Sequence, residues 1–575
     1  MSEPDKRGQD VPAGEAGGGA SVTVVGGGIA GLSAALRLAE RGYAVKLYEQ
    51  KPVLGGNLAS RPRGPGEPAL DIYPHMFQGW YENFWQLMED VGVKQQDSFS
   101  PFSSVYQLRR PKKGKVRFEK LTNPYSPETL IENMFSGLAS PADMFIFGYA
   151  SLDLQAETVS AERRLRNMSL TGYLQSRPYM TPAALAAYEA FVLRVWGIPA
   201  YLISAVDCRT YAAYCFGAAE QPGWLTSASA QTTVIDPIVK ALKDHGADVE
   251  TGVTVSQVTV KPTKKKQRFE VATMTTIRDG KRSTEPVENL VLAVPPAELS
   301  HLVRHGTRGS RIVDALPGLV ELARLTSQSI PVLSVAINKK LPGLPREPVA
   351  IYGSKLNLAF IDISQLWAGH FAPGKTVLAV SCSERFRLSG PSADDNAFEM
   401  LTELAKFLPF EPGDKWEDPS SDIDWVATAY EPNADAQLTL NTIGTDAWRP
   451  HPAPKWVPNL FFAGDFCLHD FGITTVEAAV ATGLAAAKGV VERVNLGDPV
   501  EILRPQTLPS EMFLVLRYSL VAAAYAAMGW SRMTEDDTEP PWNPDQPGKN
   551  ERMIAGGPST LRYLFTPGLP PREKA

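Results

Sequence analysis

Cysteine is scarce in this chain: four in 575 residues, Cys208, Cys215, Cys382 and Cys467, with no CxxC pair. That spacing excludes a disulfide framework and a structural zinc centre, and it fits a reducing, cytoplasmic compartment. No cluster with metal-ligand spacing and no catalytic-triad pattern stands out, so no metal is expected. A strong charge of one sign is missing too, the formal net charge being -6. The one basic run, "KPTKKKQRF" from Lys261 to Phe269, lies between two strand-like segments and reads as a solvated hairpin tip. No nucleic-acid partner is expected. The first twenty residues have no apolar core of a secretory signal and are expected to be a disordered leader. Long apolar runs are limited to Met512–Trp530, interrupted by Arg517, Tyr518 and Ser519 and alanine-rich in its second half. A helix packed on the protein body is the first expectation there, an interfacial membrane contact the second and a spanning helix the third.

What is present is length enough for two or more cores, with 44% hydrophobic and 21% charged residues. From Ser21, "SVTVVGGGIAGLSAALRLAERGYAVKLYEQ" reads as strand, glycine turn, helix and second strand, one βαβ unit. An aromatic-rich, irregular and partly helical stretch follows from Phe102 to Trp224. "GADVETGVTVSQVTV" and "RFEVATMTTI" then alternate like a hairpin pair. "NLVLAVPP" reads as a buried strand stopped by Pro295 and Pro296. "PVLSVAINKK" and "TVLAVSCSE" are further strands, and "VPNLFFAGDFCLHDFGITTVEAAVATGLAAAKGVVERV" is a strand, a loop and a long helix of small residues.

The chemistry is written first in glycine. Gly26, Gly28 and Gly31 form G-x-G-x-x-G between strand and helix, with Ala30 inside the pattern. The first glycine allows the sharp turn, the second lets backbone approach a pyrophosphate, and the third lets helix and strand close. The helix N-terminus offers N–H groups and a positive dipole to phosphate. Glu49, eighteen residues beyond Gly31, ends the second strand and is placed to accept hydrogen bonds from a ribose diol. Gly55 and Gly56 make a second flexible turn. Far downstream, Gly464 in "FFAGDF" permits close approach, and Asp465 can accept a hydrogen bond from a sugar or ribityl hydroxyl.

As a set, the run "GxGxxG…E…GG" and the late "AGD" resemble the flavin amine oxidase and phytoene desaturase superfamily, over about residues 21–100, 230–300 and 445–495. The resemblance implies an α/β protein, a Rossmann-type FAD-binding domain with an interleaved mixed α+β substrate domain. The expected FAD-binding parts are 21–100, 230–300 and 445–497. The substrate parts are 101–229 and 301–444, between a leader at 1–20 and an extension at 498–575 carrying the apolar helix at 512–530. It further implies that FAD is held by Gly26, Gly28, Ala30, Gly31, Glu49, Gly55, Gly56 and Asn57, by the backbone of Val255, and by Gly464, Asp465, Thr475 and Val476. Asn57 stands where the family usually has a basic residue, so either Arg61 or Arg63 replaces the lost charge or the pyrophosphate rests on backbone alone.

"HMFQGWYEN" supplies His75, Gly79, Tyr81 and Asn83, a pattern similar to that of carotenoid desaturases and hydroxysqualene dehydroxylase-like proteins. The resemblance implies an FAD-dependent oxidoreductase that desaturates a hydrophobic, isoprenoid or carotenoid-like substrate. Quinone or dioxygen would be the acceptor, and contact with a cytoplasmic membrane face is expected. An amine oxidase releasing peroxide, and a redox-neutral isomerase or structural FAD protein, are the alternatives. His75 and, second, His469 beside Asp470 are the candidate catalytic residues. For His75 a positioning bond to a backbone carbonyl is the competing reading, and Cys467 reads as an inert thiol more readily than as a covalent flavin attachment.

Overall fold

The computed structural model describes residues 20–63, 67–112, 115–122, 127–196, 199–218, 220–263 and 268–534. The expected leader, the tip of the basic hairpin and the Pro-rich tail fall largely outside them. At the centre is a five-stranded, wholly parallel sheet in the order Leu460–Phe462, Leu290–Leu292, Ser21–Val25, Ala44–Glu49 and Asp248–Thr251. Leu290–Leu292 and Leu460–Phe462 are buried throughout, as parallel strands covered on both faces must be.

One face carries three helices: the first (Ile29–Ala39), Asp236–Asp244, and the late helix (Val476–Val494). The first and late helices meet through small side chains, and at Gly483 a Cβ would sit 2.3 Å from the Ala30 carbonyl oxygen. The other face packs on a three-stranded antiparallel sheet, Thr254–Pro262, Phe269–Arg278 and Lys281–Pro286, and on Pro296–Arg304. The expected hairpin pair is present, Thr254–Pro262 running antiparallel to Phe269–Arg278. Asp248–Thr251 leaves it for the parallel sheet, and Gly252, at φ 72°, makes the turn between the two.

A second, seven-stranded sheet runs Ala429–Glu431, Val332–Ile337, Thr376–Cys382, Leu358–Asp362, Val349–Ile351, Ser104–Lys112 and Lys115–Thr122. The alternation of side chains decides its two faces. Leu333, Val335, Leu378, Val380, Leu358 and Phe360 join the core covered by Ala393–Ala405, so Ser334, Ala379 and Ile361 fall on the opposite face. Ser104–Lys112 and Lys115–Thr122 are strands in a stretch whose sequence suggested irregular and helical structure. Lys115–Thr122 is the edge strand and Ser104–Lys112 its neighbour, and the Lys and Arg residues of both hide the apolar alternation.

The apolar segment near the C-terminus forms a 25-residue helix, Ser510–Thr534, long and apolar enough by composition to cross a membrane. It lies on the helix Pro141–Gln155. Leu520, Val521, Ala524, Ala527 and Met528 face the body. Two buried carboxylates of Pro141–Gln155 hold it: Ser531 Oγ donates to Asp143 Oδ1 at 2.7 Å, and Arg517 Nε pairs with Asp153 Oδ1 at 2.8 Å. Arg517 and Ser531, polar residues that weaken a lipid span, are the ones that dock this helix on the body.

Because the Gly483 contact is backbone against Cβ, no rotamer can relieve it. Gly483→Val is expected to lower stability by about 1–3 kcal/mol, read as a drop in the urea midpoint.

Candidate functional site

The two glycine turns lie side by side at the carboxyl end of the parallel sheet. Gly26 has φ 110°, and a Cβ there would come within 2.2 Å of the Ala293 oxygen; one at Gly31 would meet the Gly26 oxygen at 2.0 Å. Gly55 donates its N–H to the Gly27 oxygen at 2.8 Å, and Gly28 and Gly55 form a parallel bridge. A Cβ on Gly56 would lie 3.1 Å from Gly28 Cα. The first helix begins at Gly28 with no side-chain cap and no acid in its first turn, which leaves its positive end for an anion. Ala30 is the residue whose carbonyl abuts Gly483, so it holds the first helix against the late one.

Glu49 closes the turn from below. Its Oε2 accepts the Gly27 N–H at 2.6 Å and its Oε1 the Lys51 N–H at 2.8 Å, and each oxygen keeps a lone pair for a hydroxyl. Val253 donates its N–H to the Glu49 carbonyl, which brings the strand bearing half-buried Val255 to the same end. Asn57 Nδ2 donates to the Gln437 carbonyl at 3.3 Å. Both nearby arginines have partners within the protein. Arg61 is committed to Glu431 and Asp435, and Arg63 to the Val426 and Ala427 carbonyls and to Glu67. The two frame a cavity of about 400 Å³ with Leu70 and Val426. What the glycine cradle offers an anion is backbone N–H groups and the helix end.

On the late segment, Gly464 has φ 139° and donates its N–H to Thr482 Oγ1 at 3.0 Å. Burial pushes the Asp465 carboxyl up to about 6, against the pull of Arg449. Thr475 caps the late helix, its Oγ1 accepting the Ala478 N–H at 3.0 Å, and Val476 is the first helical residue. Cys467 is buried among Leu292, Phe462 and Phe466 with its thiol pushed well up by burial, an inert core residue.

His469, the second catalytic candidate, is bonded at both ring nitrogens. Its Nε2–H donates to the Asp465 carbonyl at 3.0 Å and its Nδ1 accepts the Phe471 N–H at 3.1 Å, so no lone pair remains for a substrate proton. Burial and the neighbouring Arg449 push it down to about 3, and it clamps the loop as a neutral ring. Asp470 points elsewhere, to Arg504.

His75 differs. Its Nδ1–H donates to the Tyr73 carbonyl at 2.9 Å, and Nε2 has no protein partner among the described residues. Burial pushes it down to about 4, so Nε2 is a bare acceptor at neutral pH. It lines a narrow pocket, about 20 Å³ of open space, with Asp71, Thr226, Ile361, Leu366 and Trp367 on the inner face of the seven-stranded sheet. Asp71 accepts Ser60 Oγ–H at 2.6 Å and the Ala230 N–H at 2.8 Å, and burial pushes it up to about 7. Sequence reasoning missed Asp71, Thr482 and Glu477. Glu477 is fully buried and accepts hydrogen bonds from Asn83 and Phe84, and nothing local to its own segment announces that partnership.

The cradle fits a dinucleotide: the glycines are where a side chain could not be, and the helix end is free of competing acid. The solved structure of putrescine oxidase bound to putrescine shares this fold, with a TM-score of 0.56 at 18% identity, over 82% of this chain and 99% of its own. A zeta-carotene desaturase from a Synechocystis species is 23% identical over 501 residues, 82% of this chain and 97% of its own length. A 15-cis-phytoene desaturase from Synechococcus elongatus is 21% identical over 483 residues, 82% of this chain and 96% of its own. The model of the flavin containing amine oxidoreductases matches residues 29–491. That match runs from the first residue of the first helix into the late helix and covers most of the chain, and the chain belongs to the flavin-containing amine oxidoreductase family as an FAD-dependent oxidoreductase.

Proposed function

We propose that the protein desaturates a hydrophobic, isoprenoid or carotenoid-like substrate, with quinone or dioxygen as the final acceptor. The observation that carries this reading is the similarity to two desaturases along most of the chain. The lining beside His75, with Leu225, Ile361, Ile363, Leu366 and Trp367 next to Asp71 and Thr226, is mainly apolar, but the space it encloses is small. FAD, when bound, supplies the two-electron acceptor for a substrate C–H bond. The residues of the chain then have three tasks: to orient the substrate, to exclude water, and to receive the proton lost from the neighbouring carbon. His75 Nε2 is suited to the last. It is unprotonated at neutral pH and so keeps the lone pair that accepting a proton needs.

A substrate of this kind resides in lipid. The outer face of the Ser510–Thr534 helix exposes Val515, Tyr518, Trp530 and Met533, with no charged residue between Glu511 and Arg532 except the inward-docked Arg517. This supports work at a cytoplasmic membrane face, with the helix lying in the interface.

Four measurements test these statements. Mixed anaerobically, a phytoene-like polyene is expected to bleach the flavin absorbance, and quinone or oxygen to restore it. Bleaching by a soluble amine instead would select the amine oxidase reading. His75→Gln is expected to retain FAD and lose most turnover, whereas loss of FAD would mark His75 as packing. The same residue predicts a pH effect. Its value when folded, about 4, lies below the ordinary 6.5, so its stabilising contribution is whole above pH 6.5 and is lost as pH falls towards 4. His75→Gln should flatten that part of the urea midpoint profile. Replacing both Val515 and Trp530 by Glu is expected to abolish sedimentation with anionic liposomes at an unchanged melting temperature.

A further inference from the structure

The segment that begins at His75 ends at Asn83, a residue with no part in the chemistry above. Asn83 is 2% exposed and Glu477, in the first turn of the late helix, 0%. Glu477 Oε1 accepts the Asn83 main-chain N–H at 2.9 Å and its side-chain Nδ2–H at 2.6 Å, and Oε2 accepts the Phe84 N–H at 2.9 Å. Asn83 and Phe84 open the helix Glu82–Asp90, which has no side-chain cap of its own. Glu477 therefore caps a helix hundreds of residues away while sitting at the start of another. The positive ends of two helix dipoles meet at one carboxylate. Burial pushes this carboxyl up to about 7, against three N–H donors that favour the anion. All three hydrogen bonds it accepts come from N–H donors, the arrangement an anion needs, with the Glu82 carboxylate opposing the charge.

The rest of the Asn83 amide is used on a third segment. Its Oδ1 accepts the Leu503 N–H at 2.8 Å and its Nδ2 donates to the Leu503 carbonyl at 2.9 Å. The amide is fully satisfied, with one partner on the late helix and one on the C-terminal extension. Apolar packing fixes a helix's position through shape alone, without directional bonds. A buried carboxylate with fixed donors adds such bonds, and any shift leaves the charge short of partners.

We propose that Asn83 and Glu477 are a positioning pair that fixes the first turn of the late helix, Thr475 and Val476, against the bound FAD, with Leu503 as the strap that closes the contact. The pair rests on the dinucleotide cradle and on family membership, and is independent of which substrate is oxidised. It gives the Asn of the His75-to-Asn83 pattern a purpose: the loop that carries His75 and the helix that faces the cofactor are set by one buried bond.

The test compares FAD-saturated and FAD-free protein, because a residue that only stabilises the fold moves both melting temperatures together. Asn83→Asp sets two carboxylates face to face. It is expected to narrow the gap between the two melting temperatures and to raise the FAD dissociation constant roughly tenfold to a hundredfold. Adding Glu477→Gln to it restores a donor–acceptor pair and is expected to recover much of both. Glu477→Gln alone, the milder change, should give an intermediate shift if the Asp variant fails to fold. Equal falls in both melting temperatures with an unchanged FAD dissociation constant, or a double variant no better than Asn83→Asp, would overturn the proposal.

Discussion

The cofactor region depends on main chain meeting main chain. Gly26 lies against the carbonyl of Ala293, Gly31 against that of Gly26, Gly56 against Gly28, and Gly483 against that of Ala30. Each contact removes the room for a single carbon. Together they draw the first helix, the second glycine turn and the late helix around one end of the parallel sheet. This closeness leaves backbone N–H groups as the principal donors. Arg61 and Arg63, the nearest basic side chains, are bonded to Glu431 and to the Ala427 carbonyl.

The buried charges follow a related rule. Glu477, Asp71, Asp143 and Asp153 lie well inside the protein, and each meets hydroxyl, amide or guanidinium donors from a different segment. Leaving such a group unpaired is far more costly than pairing it is favourable. The carboxylates therefore act less as sources of stability than as statements of register, telling each helix where along its neighbour it must stop.

How far the sequence reveals this depends on distance along the chain. Gly26, Gly28, Gly31 and Glu49 are legible because the turn, the helix and the acid fall within one βαβ unit, where local geometry dictates residue type. Gly55 and Gly56 are legible for the same reason. Glu477 is not: alone it reads as an ordinary acid at a helix start, and only the fold brings it to Asn83, 394 residues away. His469 shows the converse. A histidine in a loop beside a flavin motif looks chemical, and its two backbone bonds become visible only once the loop is closed. The strands Ser104–Lys112 and Lys115–Thr122 are obscured by their basic residues, and Asp248–Thr251 by its continuity with a hairpin it does not join.

The order of the parallel sheet also sets a timetable. Its first strand, Ser21–Val25, pairs on one side with Leu290–Leu292, and that strand in turn pairs with Leu460–Phe462. A ribosome releases the chain from the N-terminus, so the first glycine turn emerges long before the segments that will hold it shut. Contacts of such long range are late by nature. The nascent protein therefore carries an open cradle for most of its synthesis, and cofactor capture is an event of the finished chain.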